Sequence, residues 1–359
     1  MRWELSEEQE LFTTSLREWL AERASPAAVR GWLDAGDLSS FERLFVDEGW
    51  AGVGFDEELG GQGGGLLEIA LTARELGRAA APSAGWLQSA IVVPALADEP
   101  ELARAASESG EVTALAVRAD RIPAAVTSVE SRTDRVHGQI PCVLGAVRAR
   151  RFLVPIADGE SISLWLVKGA DPGIGIHPRS LLDRSRDVAD VVLDDVAARR
   201  LELDAAATIS EIAARAAVLV AADALGASER MLQLAVDYSK QRQQFGRPIG
   251  SFQAVKHAAA QMLVTVESSL SIACYAAQSV EEGLSDRAIH AAVAKAQVTG
   301  GAVELADSAL TLHGAIGYTW EHDLHRFYKR AKLDRVLFGT PAAWNERIAD
   351  ALPLLPVTA

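Results

Sequence analysis

The sequence predicts a mainly α-helical chain with a central β domain, and three observations carry that reading. Apolar side chains recur at helical spacing from residue 6 to about residue 97. Residues 112–193 then break into short β-branched runs separated by Gly, Pro and Asp turns. From residue 206 onward long Ala-rich segments follow with few breakers. The boundaries fall at 1–110, 111–205 and 206–359. A chain of 359 residues can bury more than one packed layer, and its 49% hydrophobic and 23% charged content is a globular balance.

In the first segment Ser6 and Gln9 have capping-box spacing, and Leu11, Phe12, Leu16, Trp19 and Leu20 give a helical stripe behind them. Residues 41–48 form a short helix that stops at Gly49. The glycine-rich loop 52–65 follows no strand and has no G-x-G-x-x-G arrangement, so it is read as a turn and not as a phosphate cradle. Residues 66–80 and 86–97 continue as helices.

Six runs make up the middle segment: 112–117, 124–129, 136–140, 151–156, 161–167 and 188–193. Short strands this closely spaced predict a small antiparallel domain, a barrel or sandwich in preference to a parallel sheet.

The last segment holds long helices at 206–242, 252–282 and 287–312 and a shorter one at 344–352, lengths that pack as a bundle in globular proteins. Between the first two, Arg242, Gln243 and Gln244 close a helix whose apolar face is Met231, Leu232, Leu234, Ala235 and Tyr238. Phe245-Gly246-Arg247-Pro248 breaks it, with Gly246 free to take a left-handed helix exit, and Ser251 is the expected N-cap of the next helix. A guanidinium at such a corner suits a phosphate or pyrophosphate, and Phe245 adds a flat apolar face. A plain exposed hairpin with an ordinary ion pair satisfies the same local physics.

Charge and motifs exclude several classes. A net charge of −14 repels nucleic acid and anionic membrane surfaces. Cys142 and Cys274 form no CxxC and read as buried thiols of a reducing cytoplasm. The start MRWELSEEQE has no basic stretch leading into an apolar one, and no run of about 18 apolar residues stands out. A cytoplasmic protein without membrane or nucleic-acid partners is therefore expected. His322 and His325 share a helical face beside Asp323 but lack a third strong ligand nearby, so no metal is expected. H-E-x-x-H, G-x-S-x-G and Walker patterns are absent.

Three stretches carry a family resemblance. RQQFGRPIGSFQAVKH resembles the R-x-x-F-G-x-x-I-x-x-F/H-Q segment of acyl-CoA dehydrogenases, and LTLHGAIGYTW resembles their Q-x-x-G-G-x-G-[FY] loop. WAGVGFDEELGGQGGGLLEIALTARELGRAAAP resembles their N-terminal domain. The likeness is strongest over 208–340 and weakest over 112–200. It implies the acyl-CoA dehydrogenase fold: an N-terminal helical domain, a small β-barrel or sandwich and a C-terminal four-helix bundle. In that family both C-terminal segments hold the ADP half of the neighbouring subunit's FAD. The resemblance thus assigns cofactor-binding roles to Arg242, Gln244, Phe245, Phe252, Gln253, Thr311, His313, Gly314, Ala315 and Thr340. Thr311 stands where the family has Gln and Ala315 where it has Gly, so the loop keeps its path and loses hydrogen bonding.

The family's catalytic carboxylate lies in a Y-E-G-T stretch, matched here by Leu337-Phe338-Gly339-Thr340. Phe338 occupies the base position and takes no proton. Some members carry the Glu instead on the helix before the Arg segment; counting back from Gly226 places Ala216 there. Glu211 points roughly 140° away around that helix and Asp223 sits about 10 Å along it, so neither replaces the base. The family's flavin-ring signatures, T-E-x-x-x-G-S-D and W-[IV]-[ST], are also missing from ALAVRADRIPAAV and GQIPCVLGAVRARRF.

No catalytic residue is expected in this chain, and the resemblance implies the non-catalytic subunit of a heteromeric acyl-CoA dehydrogenase. Such a heterotetramer would pair it with a paralogous subunit, place FAD at the unlike interface and pass electrons to an electron-transfer flavoprotein. Its acyl-CoA substrates would be bulky or steroid side-chain esters met in β-oxidation and steroid degradation. A homo-oligomeric dehydrogenase or CoA-thioester lyase with an atypical base stays open, as does a scaffold of the same fold without flavin.

Overall fold

The computed structural model describes residues 5–159 and 161–352; the first four residues of the N-terminal stretch read above lie outside them. Helix α1 (Glu7–Arg23) begins with the expected capping box, Ser6 Oγ accepting from the Gln9 amide at 3.2 Å and Gln9 Oε1 from the Ser6 amide at 3.0 Å. Leu16 and Leu20 enter the core, but Leu11 is 68% exposed. Thr13 is buried on the core side, its hydroxyl satisfied by the Gln9 carbonyl at 2.9 Å. Helices α2 (Pro26–Ala35), α3 (Ser39–Asp47), α4 (Leu66–Ala79), α5 (Ala84–Val92) and α6 (Pro100–Ser109) complete the segment. The sequence reading lacks α2 and α6, both opened by a proline at the first helical position, where its missing N–H costs nothing.

The central domain has seven strands: β1 (Val112–Leu115), β2 (Val129–Arg132), β3 (Arg135–Leu144), β4 (Ala149–Asp158), β5 (Ser161–Lys168), β6 (Ile174–Arg179) and β7 (Val188–Leu201). They pair in the order β1-β4-β5-β7-β3-β2, with β6 also on β7. The sheet is mixed, which corrects the antiparallel expectation: β1 runs parallel to β4, and Val126 bridges Ile156 in parallel. The strand expected at 124–129 reduces to that bridge, and β6 is an addition the sequence reading lacks. Strand β7 pairs with β3 and β6 through its first part and with β5 from Ala198 onward. The partner changes between Ala197 and Ala198, shortly after Asp195, whose φ is +53°. Side chains from both parts share one apolar cluster that includes Phe152, Trp165, Val191 and Val196.

Helix α7 (Ala205–Gln241) runs through the centre of the C-terminal four-helix bundle, formed with α8 (Gln253–Glu281), α9 (Arg287–His313) and α10 (Leu324–Val336); α11 (Pro341–Ala351) packs on α9. The best 18-residue window of α7 reaches a mean hydropathy of 1.6, long and apolar enough to cross a membrane, against the expectation of no such run. That window is 67% buried inside the protein, as a central core helix is. The N-terminal helices are not a separate layer, because α4 and α7 meet backbone to backbone. A Cβ on Gly226 would stand 1.7 Å from the Arg74 carbonyl oxygen, and one on Gly77 would stand 2.1 Å from that of Asp223. Cys142 and Cys274 are free and half-buried, less enclosed than expected, and burial pushes the Cys274 thiol up.

Candidate functional site

Helix α7 ends at Gln241, one residue earlier than expected, with Arg242 already extended at φ −70°, ψ 123°. A two-residue hairpin follows: β8 (Gln243–Gln244) pairs with β9 (Arg247–Pro248). Phe245 at φ +53° and Gly246 at φ +77° form its turn. The glycine thus serves a hairpin turn with two left-handed residues and not a helix exit. Ser251 is not the cap of α8; its hydroxyl donates to the Pro248 carbonyl at 2.7 Å, and Phe252 precedes the helix with no side-chain cap.

The hairpin stands in solvent as an ordered prong. Arg242, Gln244 and Gln253 are exposed, and Arg242 has no ion pair among the described residues. Phe245 is 92% exposed at the tip, its ring edge on to Phe252 at 6.0 Å. The Arg247 guanidinium lies 4.2 Å over the Phe252 ring and fixes the base of the prong. An apolar ring held out in water beside a free guanidinium is the pattern of a contact made with another molecule.

The second predicted segment leaves the same end of the bundle, since the Tyr238 ring stacks on His313 at 4.7 Å and 21°. Gly314 turns α9 into a 3₁₀ stretch, Gly314–Tyr318, where Gly314 and Ala315 are exposed and Tyr318 is 73% exposed. His313 lies apart from the outward-facing residues. It is buried between Tyr238 and His322, its Nδ1 is 2.7 Å from the Ala309 carbonyl, and burial lowers its pKa, so the ring is neutral. Thr311 is exposed but its hydroxyl donates to Asp307 of its own helix at 2.9 Å. Thr340 is also engaged, capping α11 through the Ala343 amide at 3.3 Å. The structure therefore gathers Arg242, Gln244, Phe245, Phe252, Gln253, Gly314 and Ala315 on one outward end and sets His313 and Thr340 aside. Tyr318 and Trp320, exposed on the same loop, belong to the matched stretch but were assigned no binding role; their aromatic character beside a glycine turn was the available signal.

The two positions where a base is expected lie inside the protein. Phe338 and Ala216 both have 0% exposure. Phe338 sits at φ +53°, and its amide donates to the Ala119 carbonyl across 2.6 Å. The Trp344 indole donates to the Phe338 carbonyl at 3.0 Å, and the buried Lys295 ammonium donates to the Gly339 carbonyl at 2.8 Å. A Cβ on Gly339 would stand 2.5 Å from Ile122, so the 119–122 loop of the β domain lies directly on this segment. Burial pulls Lys295 down to about 7, against the pull of Asp334.

The two carboxylates weighed as replacements for the base are both engaged. Glu211 pairs with Arg215 at 2.8 Å. Asp223 is buried, held by Arg330 at 2.7 and 3.0 Å and by Arg186 at 3.0 Å. Burial alone would raise its pKa, but the two guanidiniums outweigh that and hold it at about 2. Asp334 goes the other way: burial and the Asp223 charge push it well above the usual carboxylate range. Among the described residues no three His, Cys, Asp or Glu side chains come together to hold a metal. His322 accepts from the Leu324 amide at 3.2 Å, and His325 packs against Trp320 at 4.8 Å.

FAD has residues that fit one half of it. An exposed Arg and Gln beside an exposed Phe offer what a pyrophosphate and an adenosine need from a neighbour. The interior position offers Phe338 without accessible surface.

Comparisons with known proteins give the following. Family profiles for the acyl-CoA dehydrogenase N-terminal domain and C-terminal domain match residues 6–99 and 206–352. The chain is 33% identical over 341 residues to the acyl-CoA dehydrogenase IpdE2 of Mycobacterium tuberculosis, covering 93% of this chain and 94% of that one. Among solved structures it resembles the ChsE4-ChsE5 complex from Mycobacterium tuberculosis, with a TM-score of 0.87 and 24% identity over 99% of this chain and 100% of that one. It also resembles a variant of the Tcur3481-Tcur3483 steroid ACAD, with a TM-score of 0.86 and 24% identity over 96% and 97% of the two chains.

Proposed function

We propose that this chain, which belongs to the acyl-CoA dehydrogenase family, is the subunit of a heteromeric enzyme that completes a companion's FAD site and supplies no base of its own. One observation carries the reading: the base position holds Phe338, fully buried and bonded through its amide to Ala119. Deprotonating the α-carbon of an acyl thioester requires a carboxylate within hydrogen-bond reach of that carbon. The companion would bring it.

In this arrangement Arg242 would neutralise pyrophosphate charge, Gln244 would donate to the same group, and Phe245 and Phe252 would cover the adenosine. FAD, when bound, accepts the β-hydride. The two-protein make-up of the ChsE4-ChsE5 neighbour supports a partnership, and the steroid ACAD neighbour supports bulky steroid-derived CoA thioesters as substrates. Electron-transfer flavoprotein as acceptor and a cytoplasmic location belong to the same proposal.

Co-expression with a paralogous acyl-CoA dehydrogenase chain tests it. The expected result is a stable complex with one flavin for each pair of unlike chains, active only as the complex. One flavin per protomer in this chain alone, bleached by an acyl-CoA, would sink the proposal.

A further inference from the structure

Outside both sites, a cleft of about 300 Å³ opens between α1, α4, α7 and α10. Four guanidinium groups line it, from Arg17, Arg78, Arg230 and Arg326, with Glu75 the single carboxylate on the wall. Leu20, Ala79 and Phe327 supply an apolar side. In a chain of net charge −14 so positive a recess stands out.

The carboxylates around it do not balance the charge. Arg17 takes Glu75 at 2.6 Å. Arg74 and Arg78 share Glu229 at 2.7 and 3.2 Å. Arg30 and Arg326 share Asp323 at 2.5 and 3.4 Å. Arg230 has no carboxylate among the described residues.

Arg326 adds positive charge beneath the wall. Its side chain is 6% exposed, and one nitrogen reaches the Pro26 carbonyl at 3.3 Å. Its Nε and Nη2 are buried and have no partner among the described residues. Those nitrogens have no accessible surface, so Arg326 acts on the cleft through its charge and not by contact.

We infer that this cleft is a binding site for a small amphipathic carboxylate, its charge on Arg230 within the positive field of Arg78 and Arg326 and its apolar body against Leu20 and Phe327. The site does not rest on the heteromeric reading above, since its wall is made by this chain alone.

Isothermal titration of the purified full chain with octanoate, octan-1-ol and acetate tests it. Octanoate is expected to bind at least about tenfold more tightly than either, because octanol lacks the charge and acetate the apolar body. Arg230→Gln, which keeps the stem of a half-buried side chain in no ion pair, should weaken octanoate about tenfold and leave the thermal midpoint unchanged. Octanoate binding no tighter than octanol, or equally tight in Arg230→Gln, would overturn the assignment.

Discussion

The amide of Phe338 donates to the carbonyl of Ala119 across 2.6 Å, tying the loop after β1 to the turn between α10 and α11. Held at φ +53° with no accessible surface, Phe338 plugs the place where a catalytic carboxylate is expected. Trp344, Lys295 and Ile122 close the segment from other sides. Replacing one side chain there does not open a site, because the backbone around it is engaged.

Phe338→Glu therefore puts a carboxylate in an apolar enclosure already strained by its backbone. The variant is expected to lose about 3 kcal/mol or more in urea unfolding and to show no acyl-CoA turnover as an isolated chain. Robust turnover would mean that a flavin pocket exists within this chain.

Arg242→Ala removes an exposed guanidinium with no ion pair among the described residues. Stability of the isolated chain should change by less than about 0.5 kcal/mol. FAD affinity of the co-expressed complex should fall about tenfold or more, the worth of a charge-assisted phosphate contact, read by flavin absorbance after equilibrium dialysis. Unchanged occupancy would remove Arg242 from the cofactor site.

Lys295 makes stability depend on pH. Its folded pKa is about 7, below the ordinary value of 10.5, so above pH 7 the unfolded chain holds more protons on this side chain. Its contribution therefore rises with pH between about 7 and 10.5, by at most one proton or about 1.4 kcal/mol per unit. Lys295→Met, compared with the parent in urea melts at pH 7, 8 and 9, should lose that upward slope. Parallel curves would show that Lys295 is charged in the fold throughout.

Two glycines should respond oppositely to alanine. Gly226→Ala drives a methyl into the Arg74 carbonyl 1.7 Å away and should cost about 3 kcal/mol or more. Gly300, inside α9 with nothing within 4 Å of a Cβ, should gain about 0.5–1 kcal/mol as Ala. Thermal or urea unfolding of the isolated chain checks both.

Local chemistry was the legible part of the fold. The Ser6–Gln9 capping box and the long apolar helices are written in short-range spacing, and both are found. Strand pairing is not local: nothing in β1 or β4 alone says that they run parallel, and only contact between distant residues decides it. Gly246 showed that the chain turns but not that Phe245 shares the turn at positive φ. At the site, the identities of Phe338 and Ala216 came from matching motifs, while the enclosure of Phe338 depended on the 119–122 loop folding back over residues more than two hundred positions away. His313 was placed by motif on the cofactor loop, yet its stacking on Tyr238 is a contact between two helices that spacing cannot show.

The touching backbones of Gly77 and Gly226 also constrain heredity. A recombination that brought in the first hundred residues of a relative would keep the fold only if the newcomer at position 77 were as small as the glycine it displaced. Halves of this polypeptide that look exchangeable on paper must be inherited together, and drift at one crossing point is answerable to the other.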